Sequence, residues 1–205
     1  MMDMLRNLSA TVLLTLLLSP AVIADDAQDQ QVEIGVAAFH SGNYERAKTI
    51  LLPLAEAGHP KAMNMVGKMY SKGHSYLKNR QIACDWYERS AEAGYVSGQT
   101  NIGTCLYWGD GRPKDIAKAI FWNERAAKQG SKLSQTNLAT YYDDIDRRDK
   151  YLYWAQKAAA QGGIMAKALM WSNGDRDLVP DLRWTDLVCI VVMHGWLDKP
   201  YDYCD

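Results

Sequence analysis

Small and apolar residues recur along this chain at helical spacing, and the whole pattern recurs about three dozen residues later. Four segments align: Ala62-Met63-Asn64-Met65-Val66-Gly67, Gly98-Gln99-Thr100-Asn101-Ile102-Gly103, Ser134-Gln135-Thr136-Asn137-Leu138-Ala139 and Ala166-Lys167-Ala168-Leu169-Met170-Trp171. Each opens on a small residue and places a larger apolar one four positions on; the starts are 36, 36 and 32 residues apart. In the unit that begins at Gly98, the positions Gly98, Ile102, Gly103 and Leu106 form one helical stripe. Gly109-Asp110-Gly111-Arg112-Pro113 ends that helix, because proline removes a backbone donor. Asp115 is placed to cap a second helix, whose stripe is Ala119, Trp122, Ala126 and Ala127 and whose stop is Gly130. Two helices per unit at a fixed period predict a stacked array, in which each unit buries its apolar face against the next.

The neighbouring units carry the same marks. Trp86, Trp122 and Trp154 share one position, and Gly58, Gly94, Gly130 and Gly162 another. The tryptophans are read as core, filling space between successive hairpins. Val32 to His40 and Tyr44 to Ala57 form a first hairpin about Ser41-Gly42-Asn43. At the far end Ile164 to Ser172 is a fifth first helix, and Pro180 to Gly195, through Leu187-Val188-Cys189-Ile190-Val191-Val192, is read as its divergent helical partner.

This pattern resembles the Sel1-like repeats, α/α relatives of the tetratricopeptide repeats. The unit from Gly98 carries Ile102-Gly103, Gly109-Asp110-Gly111, Asp115, Lys118-Ala119, Trp122, Ala126-Ala127 and Gly130, but has Leu106 where the family has tyrosine, with Tyr107 next to it. The unit before it keeps Val66-Gly67, Tyr70, Gly73, Ala83, Trp86-Tyr87, Ala91 and Gly94, with Asn79 for aspartate. The unit after it keeps Leu138, Tyr142, Trp154, Lys157-Ala158-Ala159 and Gly162, with a loop four residues shorter. The resemblance implies an all-α solenoid of about five hairpins: 32–58, 62–94, 98–130, 134–162 and a divergent 166–197. It also implies a non-enzymatic protein-binding role. Two family uses fit a short exported chain: an immunity protein that neutralises a type VI secretion phospholipase effector, or an envelope adaptor. A hydrolase of the β-lactamase kind would need a nucleophile with a base in reach, and no such constellation stands in the sequence.

Solenoid geometry assigns further roles. First helices line the concave face, which places Asn64, Lys68, Ser71, Thr100, Thr104, Tyr107, Thr136, Thr140 and Asp143 on it, with Trp108 and Tyr141 as aromatic anchors. Cys84, early in one second helix, and Cys105, late in the next first helix, lie equally far from the turn at Gly94-Tyr95 and are expected to face one another as a disulfide. Cys189 and Cys204 are then expected to pair and tie the C-terminal cap.

The chain's start changes the compartment. Arg6, then an apolar run from Ala10 through Leu18 broken at Ser19-Pro20, then Val22-Ile23-Ala24, read as a signal peptide cleaved after Ala24. That run is about nine residues, against roughly 20 for a membrane span. The expected product is a periplasmic single domain, Asp25 to Asp205, not inserted in the membrane and monomeric when free. A net charge of −1 gives no bulk attraction for nucleic acid. No cofactor is called for. His40, His59, His74 and His194 are isolated, and Asp143-Asp144-Ile145-Asp146-Arg147-Arg148-Asp149 lacks the glycine and the alternation of a calcium loop. It is read as a solvated, shortened turn, with no metal site.

Overall fold

Each pair of stripes becomes a helical hairpin. The computed structural model describes residues 20–179. The hairpins are α1 (Pro20–His40) with α2 (Tyr44–Glu56), α3 (Pro60–Lys72) with α4 (Arg80–Glu92), α5 (Val96–Trp108) with α6 (Ile116–Lys128), and α7 (Lys132–Asp143) with α8 (Arg148–Ala160). α9 (Ile164–Ser172) follows, then a short 3-10 turn, Arg176–Leu178. There is no strand among the described residues. The expected partner helix from Pro180, Cys189 and Cys204 lie outside them.

Local chemistry sets the boundaries. Asn79 and Asp115 cap α4 and α6, their side chains accepting from the backbone of Ile82 and Lys118 at 3.0 and 2.9 Å. Gly73 and Gly109 end α3 and α5 at φ 78° and 71°, the left-handed conformation that glycine takes without strain. α1 is longer than expected, starting at Pro20 in place of Val32. Residues 26–31 in that extension are exposed, and Asp29 among them bonds His59 at the start of α3.

Packing follows the period. First helices approach one another more closely than second helices do, so the array curves with α3, α5, α7 and α9 on its inner side. The close approach within a hairpin depends on matched side chains. A Cβ on Gly67 would stand 2.6 Å from Tyr87 Cε1, and one on Gly103 would stand 1.9 Å from Asn123 Nδ2. In the next hairpin the equivalent positions are Ala139 and Ala155, both fully buried. A large partner on the second helix thus goes with glycine on the first, and a small partner with alanine.

Two polar rungs join the hairpins. Gln99 on α5 accepts from Gln129 Nε2 at 2.9 Å and donates to the Ala91 carbonyl at 3.5 Å. Gln135 on α7 repeats this with Gln161 at 2.9 Å and the Ala127 carbonyl at 3.4 Å. Both glutamines are buried.

Two expectations meet the structure directly. Cys84 and Cys105 form a disulfide with Cα atoms 6.2 Å apart, joining α4 to α5 inside the repeats. The tryptophans need correction. Trp154 is buried, but Trp86 and Trp122 are only half-buried. Each ring is covered by a cation three positions on, Arg89, Arg125 or Lys157, at 4.2, 5.4 and 5.5 Å. The indole serves as a lid whose outer surface carries a charge, which spares the aromatic face from open water.

Candidate functional site

The inner face holds two adjoining cavities. One, of about 580 Å³, lies between α5, α7 and the start of α9. Tyr107 and Tyr141 stack there, centroids 4.0 Å apart and planes at 18°. Both rings are buried. The Tyr107 hydroxyl donates to Asp144 Oδ2, and the Tyr141 hydroxyl bonds Thr104 and Asn123. Burial pushes the Tyr141 phenol up to about 12. It also raises Tyr107, with the Asp144 carboxylate adding to the effect. Both therefore stay neutral at physiological pH. Trp108 stands at the rim, edge-on to Tyr107 and 69% exposed. Leu133 opposes it, 55% exposed, with Thr136, Thr140 and Met165 completing an apolar and hydroxyl wall.

The second cavity, of about 640 Å³, lies between the end of α1, α3, the start of α4 and α5. Its lining is rich in cationic and imidazole groups: His40, Lys68, Lys72, His74 and Arg80, with Asp110 as the one carboxylate. Arg80 donates to Ser71 Oγ at 2.8 Å and pairs with Asp110 at 3.2 Å. His74 stacks flat on Tyr44, centroids 3.8 Å apart. Thr104 and Trp108 line both cavities, so the two are one groove with an indole at its divide.

Of the residues the sequence placed on this face, Thr104, Tyr107, Trp108, Thr136, Thr140 and Tyr141 line the aromatic cavity, and Lys68, Ser71, Thr104 and Trp108 the basic one. Asn64 and Thr100 are placed differently. Both are buried between neighbouring first helices, Asn64 accepting from Asn101 Nδ2 at 2.8 Å and Thr100 bonded to Ser134 Oγ at 2.7 Å. The close approach of first helices consumes those side chains. Asp143 lies outside the lining of both cavities and accepts from Asn173 Nδ2 at 3.1 Å. The acidic turn is accordingly more than solvated loop: Asp144 holds Tyr107, and Asp143 holds the end of α9. No group of three or more potential metal-ligating side chains occurs among the described residues. His59 is structural, its Nδ1 accepting from Ala62 N and its Nε2–H donating to Asp29.

Sequence reasoning did not mark Leu133, Met165, His40, Lys72, His74 and Arg80. Leu133 and Lys72 sit at the ends of first helices, where helical register does signal the inner face. His40, His74 and Arg80 come from turns and helix ends of three different segments, and no spacing announces their meeting.

A stack of helical hairpins with a groove along its first helices defines an α/α solenoid. The Sel1 repeat model matches residues 60–95, 96–131 and 152–163, and the chain carries Sel1 repeats. Its shortened unit matches only over its second helix. A Sel1 repeat protein from Oxalobacter formigenes has a similar structure, with a TM-score of 0.63 and 27% identity over 70% of this chain and 60% of that one. A protective antigen of uropathogenic Escherichia coli with an SLR fold aligns with a TM-score of 0.68 and 23% identity, over 86% of this chain and 43% of the antigen. The chain thus spans less than two thirds of each. No curated protein matches the sequence. The fold is that of a protein–protein interaction module.

Proposed function

We propose that this protein is an exported, non-catalytic binding module that holds a segment of another protein in the groove across α3, α5 and α7. The observation that carries the reading is the groove itself: a stacked aromatic floor, exposed Trp108 and Leu133 at its rim, and a cationic continuation. Exposed aromatics beside buried ones are the anchors of protein interfaces. The two floor phenols are hydrogen-bonded and held neutral, which suits packing and not nucleophilic attack. Export is supported by the Cys84–Cys105 disulfide, which persists in oxidising compartments, together with the apolar leader ending at Ala24. In this reading the mature protein begins at Asp25, resides in the periplasm, is monomeric when free and stays off the membrane.

The partner is a secreted effector of phospholipase type, which the protein neutralises, or an envelope protein that it organises. The test places a photo-crosslinking benzoylphenylalanine at Leu133 in the groove, with Phe121 on α6 as control. A partner captured from Leu133 alone is expected; equal capture from both, or none, would overturn the groove as the binding surface. Co-expression with a neighbouring lipase toxin checks the immunity role: survival supports it, and unprotected cells refute it.

A further inference from the structure

The groove has two chemically different halves in fixed order, and that order restricts what fits. Between α5 and α7 lies an apolar and aromatic hollow, walled by Trp108, Leu133 and the stacked Tyr107–Tyr141 pair. Between α3 and α5 lies a hollow lined by Lys68, Lys72, Arg80, His40 and His74. Its one carboxylate, Asp110, is engaged by Arg80. The chain as a whole is almost neutral, at −1, so this concentration of positive charge is local and does not follow from composition.

From this we infer that the groove's ligand is an extended segment of a partner protein with carboxylate side chains on one side of an aromatic or leucine anchor. The inference rests on the protein-binding reading above and adds the chemistry of the partner. The carboxylates lie over α3 and the start of α4, where Lys72 and Arg80 face them. The anchor passes Trp108 and enters the hollow over Tyr141. Packed helix axes are about 8–10 Å apart. Adjoining hollows are therefore separated by about three residues of extended chain, at roughly 3.3 Å each. Acid and anchor should stand about three positions apart. Electrostatic complementarity of this kind sets partner choice and orientation, and the aromatic anchor sets most of the affinity.

The experiment uses the mature full-length chain and three fluorescein-labelled nonapeptides, read by anisotropy. One carries two glutamates and, three residues on, a phenylalanine. The second has lysines for the glutamates, and the third alanine for the phenylalanine. The first should bind, and each of the others should bind about tenfold more weakly or worse. Lys72→Glu and Trp108→Ala are both at exposed positions and leave the fold intact. Lys72→Glu should weaken the glutamate peptide and strengthen the lysine peptide, and Trp108→Ala should weaken both. Equal binding of glutamate and lysine peptides, or indifference to Lys72→Glu, overturns the inference. It also falls if Asp202→Lys/Asp205→Lys in the full chain raises peptide affinity, because the occupant is then the chain's own acidic, aromatic end. Concentration-dependent dimers that dissolve on Lys72→Glu would assign the groove to a second copy and overturn the inference equally. Crosslinking from Leu133 separates the two levels: a captured partner with no acidic preference in the panel leaves the binding module standing and removes only its chemistry.

Discussion

Substituting Gly67 by alanine should destabilise the protein, although alanine is the better helix former. A methyl group at Gly67 would lie 2.6 and 2.7 Å from Tyr87 Cε1 and Cδ1 and 3.1 Å from the Ala83 carbonyl oxygen. Carbon atoms in contact prefer about 3.5–4.0 Å, so the ring or the helix must move by roughly 1 Å. Tyr87 is buried and its hydroxyl is hydrogen-bonded to Ser71, and the carbonyl is backbone, so neither yields freely. Overpacking of this kind costs about 1–3 kcal/mol. The helical preference for alanine returns about 1 kcal/mol. The expected net loss is about 1 kcal/mol. In a Tyr87→Ala background the clash is gone, and the same substitution should stabilise by about 1 kcal/mol, giving a coupling of roughly 2 kcal/mol. The assay is urea unfolding followed by circular dichroism at constant m-value, for the four proteins of the cycle. If Gly67→Ala stabilises the native background as much as it does the Tyr87→Ala one, the close-packing argument is wrong. Ala139→Gly supplies the converse. It loses about 1 kcal/mol of helix preference and about 0.8 of methyl burial, for roughly 2 kcal/mol.

Four other perturbations are simpler. Cys84→Ser with Cys105→Ser opens a link spanning 21 residues and should cost about 3 kcal/mol in the same urea assay; an unchanged midpoint would mean the bridge does not constrain the unfolded chain. Burial pushes the Tyr87 and Tyr141 phenols up to about 12 from their ordinary 10, so the fold favours the protonated form. The stability linked to these groups is fully present below pH 10 and lost between pH 10 and 12; Tyr141→Phe should lessen that loss, and a normal 295 nm titration near pH 10 without loss would contradict it. Asp115→Ala removes the cap on Lys118 N and should cost about 1 kcal/mol. At the equivalent start of α8, Arg147 makes no side-chain cap, so Arg147→Ala should change stability by less than about 0.5 kcal/mol.

The sequence exposes whatever repeats. The helices, the Asn79 and Asp115 caps and the Gly73 and Gly109 stops follow from one 36-residue register, and the Cys84–Cys105 bridge from the antiparallel helix pairing that the register implies. The aromatic hollow was legible to the same extent: Thr104, Thr136, Thr140 and Tyr141 are successive first-helix positions. Asn64 and Thr100 show the limit, since register gives direction but not how closely the next helix approaches. Where neighbouring first helices touch, an inner-facing polar side chain is consumed by Asn101 or Ser134 before any ligand meets it. The basic hollow was legible only at Lys68, Ser71, Thr104 and Trp108, because His40, His74 and Arg80 come from turns and helix ends of three segments, and only tertiary structure gathers them. Leu106 in place of the family tyrosine also has its explanation here. The displaced ring is Tyr107, which turns inward to stack on Tyr141 and leaves the inter-hairpin core to leucine.

The buried glutamine rungs have a mechanical consequence. Flexing the array at either junction would pull Gln99 or Gln135 away from a partner in the adjoining hairpin and strand an amide in the interior, which costs roughly 1–3 kcal/mol. The junction between the first two hairpins has no such rung, because Met63 and Ala93 occupy the equivalent places. That junction is held instead by the Tyr44–His74 stack, the Lys48 Nζ bond to the Ser75 carbonyl and the Asp29–His59 pair. The buried rungs are thus confined to α4 to α8, which form a stiff mould. Such a mould selects by shape: a guest must arrive extended, or pay to become so, and the host contributes almost no adjustment of its own.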